Sequence, residues 1–410
     1  MRQILKQTSW LVLAQGLTRV IGFFYTIFLA NNLGVSGFGL FTVALAYFSI
    51  LSSFADFGFN RFLVREVARD NLKTSDLLIN VAVLRITFSL MIILVFYFFL
   101  YSFDQDQNRV SLVLLGSLAV LPQSIGLTFD SIFVAFKKLQ FSATGLIISS
   151  FSTVLVGLFL VTRQFGPTGA VEALVFGQLI YGAVLVVLLF TNKGLLISRI
   201  KFSVIKQALM GSLPYGLLGI LGLLYFRIDA IILSYMKGSF ETGIYGIAYR
   251  FLEAIIFIPS AFGVVLFPNL AKLHNTNISD LKRIYFQSIK LMAIIGVIIM
   301  LTYILVLPEI IKLFLPQFLS SIDAIIILSL SIPFIFAATP GVQVLFSAEK
   351  YLKQVIFFSI FTVLFNITLN LLFIPEFGFL AAAFITVASD ILSFIIFYVF
   401  ITRKIFKNET

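Results

Sequence analysis

Charged residues, histidine and cysteine are all scarce in this sequence of 410 residues. Only 11% of the residues are charged, whereas a soluble domain keeps about a quarter charged because it has a wet surface to cover. With 60% hydrophobic residues, most of the exterior must face a medium as apolar as the interior, and lipid is such a medium. We therefore predict an all-α integral membrane protein.

The missing residue types and motifs also exclude several kinds of site. Without cysteine there is no disulfide, thiolate metal site or cysteine nucleophile, and a single histidine, His274, excludes a histidine-rich metal cluster. The sequence has no phosphate-binding G-x-x-x-x-G-K-[ST] loop, no G-x-S-x-G elbow and no H-E-x-x-H helix. It also lacks the long hydrophilic loop expected of a membrane glycosyltransferase or polymerase. We predict a protein that is not an enzyme and has no catalytic residue, cofactor or bound metal.

Hydrophobic runs of about 20 residues, the length that crosses a bilayer as a helix, predict twelve spans. An N-terminal run interrupted by Arg19 is too long for a signal peptide, so we assign it to the first span. The predicted spans are 8–30, 38–59, 77–102, 110–135, 141–162, 169–191, 208–235, 242–267, 288–307, 323–346, 352–374 and 379–402.

Basic residues alternate between the predicted loops. With both termini in the cytoplasm, 21 lysines and arginines fall on the inside and 4 on the outside, and four arginines lie within spans. Cytoplasmic loops of membrane proteins collect positive charge, so this alternation supports the span count and the orientation together. The same rule explains the net charge of +11 without a nucleic-acid partner.

Two internal matches indicate that the chain is duplicated. The segment GVSGFGLFTVA at 34–44 aligns without gaps on GSFETGIYGIA at 238–248, and FGPTGAVEAL at 165–174 resembles FGFLAAAFIT at 377–386. Each half then holds six spans that enter the membrane in the same direction. We predict an N-terminal bundle at 1–192, a cytoplasmic linker at 193–207 and a C-terminal bundle at 208–410, arranged pseudo-symmetrically around a central cavity.

Four arginines lie within predicted spans, where an ionised group needs a partner or a water-filled cavity. Arg19, Arg227 and Arg250 fall near one level, about 15 Å deep at a helical rise of 1.5 Å per residue. Guanidinium groups match phosphate oxygens bidentately, so these three are candidate ligands of a substrate pyrophosphate or sugar. Internal ion pairing is the competing interpretation, since Arg250 and Glu253 are i,i+3 neighbours. Arg85 lies nearer the cytoplasmic end, from which its side chain would reach the interface.

Three carboxylates also lie within or near the same membrane level: Asp229, Glu253 and Asp390. Burial raises a carboxyl pKa toward the working range, which suits a group that carries a coupling proton. Two roles stay open for these residues: ion coupling, or ion pairing with an arginine. Asp56, near the cytoplasmic end of its span, is expected to anchor a loop.

Sequence blocks in both halves resemble a known family. The N-terminal block is NNLGVSGFGLF from Asn31 with FADFGFNRFLVREVAR from Phe54. The second half adds SLPYG from Ser212, YFRIDAIIL from Tyr225, GIYGIAYR from Gly243 and FPNL from Phe267. These blocks are similar to those of the bacterial polysaccharide-biosynthesis flippases, the Wzx-like members of the MOP superfamily.

This resemblance implies translocation of an undecaprenyl-pyrophosphate-linked oligosaccharide from the cytoplasmic to the periplasmic leaflet of the bacterial inner membrane. The glycan would be an O-antigen, capsule or related repeat unit, for lipopolysaccharide or capsule assembly. Alternating access without ATP, MATE-like six-helix bundles and a cationic cavity are implied as well. Expected partners are the lipid-linked oligosaccharide, membrane lipids, a coupling proton or sodium ion, and glycan polymerase or assembly proteins.

Three alternatives remain from the sequence. An ion-coupled multidrug exporter of the same superfamily should need fewer basic groups in its cavity, because its substrates are often cationic. A major-facilitator carrier also has twelve spans, but the loop DFGFNRFLVREVARD lacks the basic signature of that superfamily. A membrane polymerase or transferase is disfavoured by the missing hydrophilic loop.

Overall fold

The computed structural model describes residues 2–193 and 199–407, and these residues form helices with no β-strand. Part of the predicted linker, residues 194–198, lies outside the described residues, as do residues 1 and 408–410. The α-helices are α1 Arg2–Asp56, α2 Phe59–Arg69, α3 Thr74–Phe103, α4 Gln107–Ser117, α5 Val120–Ala135, α6 Leu139–Thr162, α7 Gly166–Lys193, α8 Phe202–Ile255, α9 Phe257–Thr276, α10 Ile278–Phe314, α11 Ser321–Ser329, α12 Ile332–Phe346 and α13 Leu352–Phe400.

Three of these helices are long enough to cross a bilayer twice, and each is broken at one glycine. Gly34 breaks α1, Gly238 breaks α8 and Gly378 breaks α13, with φ values of 68°, 82° and 58°. Glycine populates this left-handed region without the steric cost that a Cβ brings. Counting each broken helix as two spans, and the bent α11–α12 pair as one, recovers the twelve predicted spans within the described chain.

The same backbone feature marks both internal matches. Gly34 aligns with Gly238 in the first match, and Gly166 aligns with Gly378 in the second. All four glycines have positive φ, and Gly166 and Gly378 have nearly equal values, 57° and 58°. The duplication predicted from the sequence is therefore confirmed at the level of local backbone geometry.

The chain divides into two compact units, Met1–Arg227 and Ile228–Thr410. The division falls within α8, so the first part of that helix belongs to the first unit. The bundle boundaries predicted from the sequence, 1–192 and 208–410, stay a prediction.

Apolar packing in the first unit is centred on α2, a short helix between two spans. Phe59, Phe62, Leu63 and Val67 project from one face of α2 into a buried cluster. The cluster also includes side chains of α3, α5, α7 and α8, among them Leu78, Ile132, Leu185 and Ala208. The opposite face of α2 carries exposed arginines, as expected of an amphipathic helix at a membrane boundary.

Candidate functional site

A buried carboxylate in the second unit is surrounded by neutral polar groups. Asp229 is 3% exposed, and its Oδ2 accepts hydrogen bonds from the Tyr245 hydroxyl at 2.9 Å and the Thr386 hydroxyl at 2.8 Å. Its Oδ1 accepts from Asn370 Nδ2 at 2.8 Å, and that same amide nitrogen lies 3.0 Å from Asn366 Oδ1. We call these five residues the Asp229 cluster.

The two helix breaks of the second unit bring these residues together. Asp229 and Tyr245 lie on the two arms of α8, on either side of Gly238. Asn370 lies on the first arm of α13, and Thr386 lies on the second arm, beyond Gly378. Four helical segments therefore each contribute a polar group to one buried cluster.

No side chain within the described residues forms an ion pair with Asp229, so ion pairing, one of the two roles left open for this residue, is not seen in the structure. Hydrogen bonds from neutral donors stabilise a buried carboxylate only in part, because desolvation of an ion costs several kcal/mol. A carboxylate held in this way is suited to receive a proton or a metal cation from outside the protein.

The donor set of the Asp229 cluster fits a hard cation. Carboxylate, amide and hydroxyl oxygens are the ligands that such cations prefer. Asn370 Oδ1 is buried and accepts no hydrogen bond, so one oxygen lone pair in the cluster is unused. Within the described chain no group of three His, Cys, Asp or Glu residues could hold a metal ion. A site with one carboxylate balances the charge of a monovalent ion better than that of a divalent one.

The first unit contains a buried arginine whose two terminal nitrogens are both hydrogen-bonded, whereas its Nε has no hydrogen-bond partner. Arg85 is 0% exposed and forms an ion pair with Asp56. It also donates to Thr128 Oγ1 and Asn60 Oδ1, both at 2.9 Å, and to the Ser124 carbonyl at 3.3 Å. The expectation that Arg85 reaches the interface is wrong, because the packing of α3 against α5 encloses its side chain. Asp56 anchors the start of α2, as predicted, since it accepts the backbone N–H of Asn60.

The three arginines predicted to bind phosphate differ in their surroundings. Arg19 is exposed on α1, and Arg227 is half-buried on the first arm of α8. Arg250 is half-buried on the second arm and pairs with Glu253 at 3.0 Å, so ion pairing is confirmed for these two residues. Arg227 precedes Gly238 by 11 residues and Arg250 follows it by 12, which puts both about 17 Å from the helix break.

Asp390 is 8% exposed on the second arm of α13. Its burial near the middle of a predicted span agrees with the depth expected from the sequence. Its role, in ion coupling or ion pairing, stays a prediction.

Four members of the Asp229 cluster were not singled out from the sequence: Tyr245, Asn366, Asn370 and Thr386. A usable signal was present, since Asn366 and Asn370 are i,i+4 neighbours in a strongly apolar span and so share one helix face. Two amides on one face of a membrane helix need a polar partner across the packing interface.

Comparison with solved structures places the fold among MOP-superfamily transporters. The lipid II flippase MurJ in an inward-closed conformation superimposes with a TM-score of 0.77 at 16% identity, covering 96% of this chain and 87% of that one. The MATE multidrug transporter DinF-BH gives a TM-score of 0.71 at 17% identity, covering 98% of this chain and 95% of that one. These likenesses show the fold, and both a flippase and a drug transporter share it.

The sequence comparisons are more specific. The Haloferax volcanii protein named "Probable flippase AglR" is 24% identical over 377 residues, covering 90% of this chain and 77% of that protein. A family model described as "Polysaccharide biosynthesis protein" matches residues 4–274, about two thirds of the chain. The structural neighbour MurJ and the relative AglR are both named as flippases, and neither is named as an enzyme. The chain is a multi-pass membrane protein that belongs to the polysaccharide biosynthesis protein family, a family of flippase-like transporters and not of enzymes.

Proposed function

We propose that this protein is a flippase that moves a lipid-linked oligosaccharide across the membrane by alternating access, without ATP hydrolysis. The observation that carries the proposal is the match of residues 4–274 to the polysaccharide biosynthesis family. The flippase named among its relatives and the fold shared with a lipid II flippase support the same class of substrate. The lipid carrier we propose is undecaprenyl pyrophosphate, as the sequence resemblance implies.

The substrate pyrophosphate is proposed to bind Arg19, Arg227 and Arg250. An exposed arginine such as Arg19 in the middle of an apolar helix is costly against lipid, so it should face water or an anion. Arg250 already pairs with Glu253, and a pyrophosphate with more negative charge would compete with that carboxylate for the guanidinium.

Transport is proposed to be coupled to a monovalent cation, a proton or sodium ion, at the Asp229 cluster. The support is a buried carboxylate with neutral hydrogen-bond donors only, beside an amide oxygen that accepts no hydrogen bond. Cation binding would replace the Tyr245 or Thr386 hydrogen bond with an ionic contact, and so link the two arms of α8 differently in the two states.

The proposed setting is the bacterial inner membrane, as the family resemblance implies. Both termini are proposed to lie in the cytoplasm, because the distribution of basic residues predicts that orientation. The glycan would be an O-antigen, capsule or related repeat unit, delivered to a polymerase or assembly protein on the outer side.

The test is reconstitution into liposomes with a fluorescent undecaprenyl-pyrophosphate-linked oligosaccharide. Loss of fluorescence to a membrane-impermeant quencher reports substrate that has crossed to the outer leaflet. We expect transport in wild-type vesicles and at least tenfold slower transport for Arg227→Ala or Arg250→Ala, with Lys312→Ala as a control at an exposed pair on another helix. Wild-type rates in both arginine variants would reject the pyrophosphate-binding role, and no transport by wild-type vesicles would reject the substrate class.

An ion-coupled multidrug exporter is the second candidate, because the chain shares its fold with DinF-BH. The same vesicles loaded with a cationic dye separate the two functions. Cation-dependent dye movement without oligosaccharide movement would favour the exporter.

A further inference from the structure

The surface of α2 opposite the buried cluster carries a row of exposed cations. Arg61, Arg65 and Arg69 follow each other at four-residue spacing, so they line one face of the helix at intervals of about 6 Å. Lys73, also exposed, extends the row beyond the end of the helix. We call Arg61, Arg65, Arg69 and Lys73 the basic row.

Part of this positive charge has no carboxylate partner. Arg65 pairs with Glu66 at 3.0 Å, and Lys73 pairs with Asp70 at 3.1 Å. Hydrogen bonds from Lys73 and from the backbone N–H of Leu72 lower the pKa of Asp70 below its ordinary value, so Asp70 is ionised and balances Lys73. Within the described residues, Arg61 and Arg69 form no ion pair. The row therefore keeps two uncompensated positive charges.

The position of α2 is fixed by close backbone packing. Gly58, which precedes α2, has φ +78°, and a Cβ there would lie 2.5 Å from both Gly216 N and the Ser212 carbonyl oxygen. Arg61 stacks over the Tyr215 ring with its guanidinium carbon 5.8 Å from the ring centroid. The first part of α8 thus holds α2 from one side, and the arginines are displayed from a rigid helix.

A second, independent observation supports a lipid surface beside the row. Leu72, beside Lys73, is 96% exposed. A leucine so exposed next to a cation is the pattern of an interfacial segment, in which the apolar side chain enters the acyl region and the cation meets headgroups. The spans that flank α2 end at this level, so a lipid headgroup is within reach of the row.

From these contacts we propose that the basic row binds the phosphate groups of anionic phospholipids in the cytoplasmic leaflet. That leaflet carries the negative surface charge that attracts basic segments next to the membrane. A soluble anion would satisfy the arginines but would leave Leu72 in water, whereas a phospholipid satisfies both. The proposal rests on the proposed orientation of the chain, and it does not depend on which substrate is transported.

Native mass spectrometry of the purified full-length protein tests this proposal. The protein in detergent is titrated with phosphatidylglycerol or, in parallel, with phosphatidylcholine of the same acyl chains. We expect preferential retention of phosphatidylglycerol and about 30-fold weaker retention in the variant R61Q/R65Q/R69Q, because about 1 kcal/mol of attraction is lost for each of the two uncompensated arginines. The charge-preserving variant R61K/R65K/R69K should stay within about threefold of wild type.

The matched control removes three exposed lysines from the same predicted face of the second unit, K272Q/K282Q/K290Q. It loses the same charge and should bind phosphatidylglycerol as the wild type does. Equal losses in the two neutralised variants, or equal retention of the two lipids by wild type, would overturn the assignment. Displacement of phosphatidylglycerol by an equal concentration of inorganic pyrophosphate would overturn it as well, in favour of a docking site for the substrate. Unfolding temperatures without added lipid verify that each variant is folded.

Discussion

Each unit contains a polar cluster around a buried charged side chain, Arg85 in the first and Asp229 in the second, and the two clusters differ in whether that charge has an ionic partner. Arg85 in the first unit faces Asp56, and three further acceptors receive hydrogen bonds from its two terminal nitrogens. Asp229 in the second unit meets only hydroxyl and amide donors. A matched pair serves the fold, because removing either member strands the other. An unmatched carboxylate is better explained by a charge that arrives and leaves.

Truncation of the matched charge should produce the largest loss of stability. We expect Arg85→Ala to lower the free energy of unfolding by about 3–5 kcal/mol, because Asp56 would be left without its ionic partner. The unfolding temperature in detergent measures this loss. Lys312→Ala, which removes one member of an exposed pair, should change the free energy by less than about 1 kcal/mol.

A double variant sharpens this result. Arg85→Met combined with Asp56→Asn removes both charges and should be more stable than Arg85→Met alone. If the double variant is no better than the single one, the ion pair is not the source of the stability.

Removal of the unmatched charge should affect transport instead of stability. Asp229→Asn keeps the shape of the side chain and removes a buried ion, so we expect an unfolding temperature equal to or above that of the wild type. Cation-dependent transport should fall by at least tenfold, measured in the liposome assay with and without an imposed sodium or proton gradient. If Asp229→Asn lowers the unfolding temperature but leaves cation-dependent transport intact, Asp229 serves the stability of the fold and not ion coupling.

A smaller effect is expected when one donor to Asp229 is removed. Tyr245→Phe deletes the hydroxyl that lies 2.9 Å from Asp229 Oδ2 and keeps the ring in place. A hydrogen bond to a charged group contributes about 1.5–3 kcal/mol, so the apparent affinity for the coupling cation should change by about tenfold or more. Tyr249→Phe, one helical turn along α8, is the matched control. An affinity unchanged in Tyr245→Phe would show that the hydroxyl takes no part in cation binding.

The smallest effect should come from the half-exposed pair of Arg250 and Glu253. Glu253→Gln removes an i,i+3 ion pair whose expected contribution is only about 0.5 kcal/mol, and it removes a carboxylate that competes with the substrate for the guanidinium. We expect unchanged stability and oligosaccharide transport at or above the wild-type rate. Transport lost in Glu253→Gln would assign the carboxylate a role beyond pairing.

The helical membrane fold could be predicted from the sequence. Each span is a continuous run of apolar residues, and each internal match is a short continuous segment, so neither requires knowledge of tertiary contacts. The turns at Gly34 and Gly238 were already aligned by the first internal match, and the structure gives both residues positive φ. Asp56 was predicted to anchor a loop because it lies near the end of its span, and it accepts the backbone N–H of Asn60.

The partners of Asp229 could not be predicted in the same way. Asn370 and Thr386 lie 141 and 157 residues from Asp229 in sequence, and hydropathy does not determine which faces of distant helices meet. The same limit applies to Arg85, whose burial results from the packing of α3 against α5. Depth in the membrane can be counted along a helix, but rotation about the helix axis depends on tertiary packing.

The break at Gly238 has a mechanical consequence for the Asp229 cluster. Asp229 precedes this glycine by nine residues and Tyr245 follows it by seven, and no other residue of α8 leaves the helical conformation. If the two arms of α8 stay helical, the distance between them can change only when the bend at Gly238 changes. A change of the angle at Gly238 would therefore change the separation of the Tyr245 hydroxyl and the Asp229 carboxylate, so the bend of α8 and the hydrogen bond between its two arms are mechanically linked.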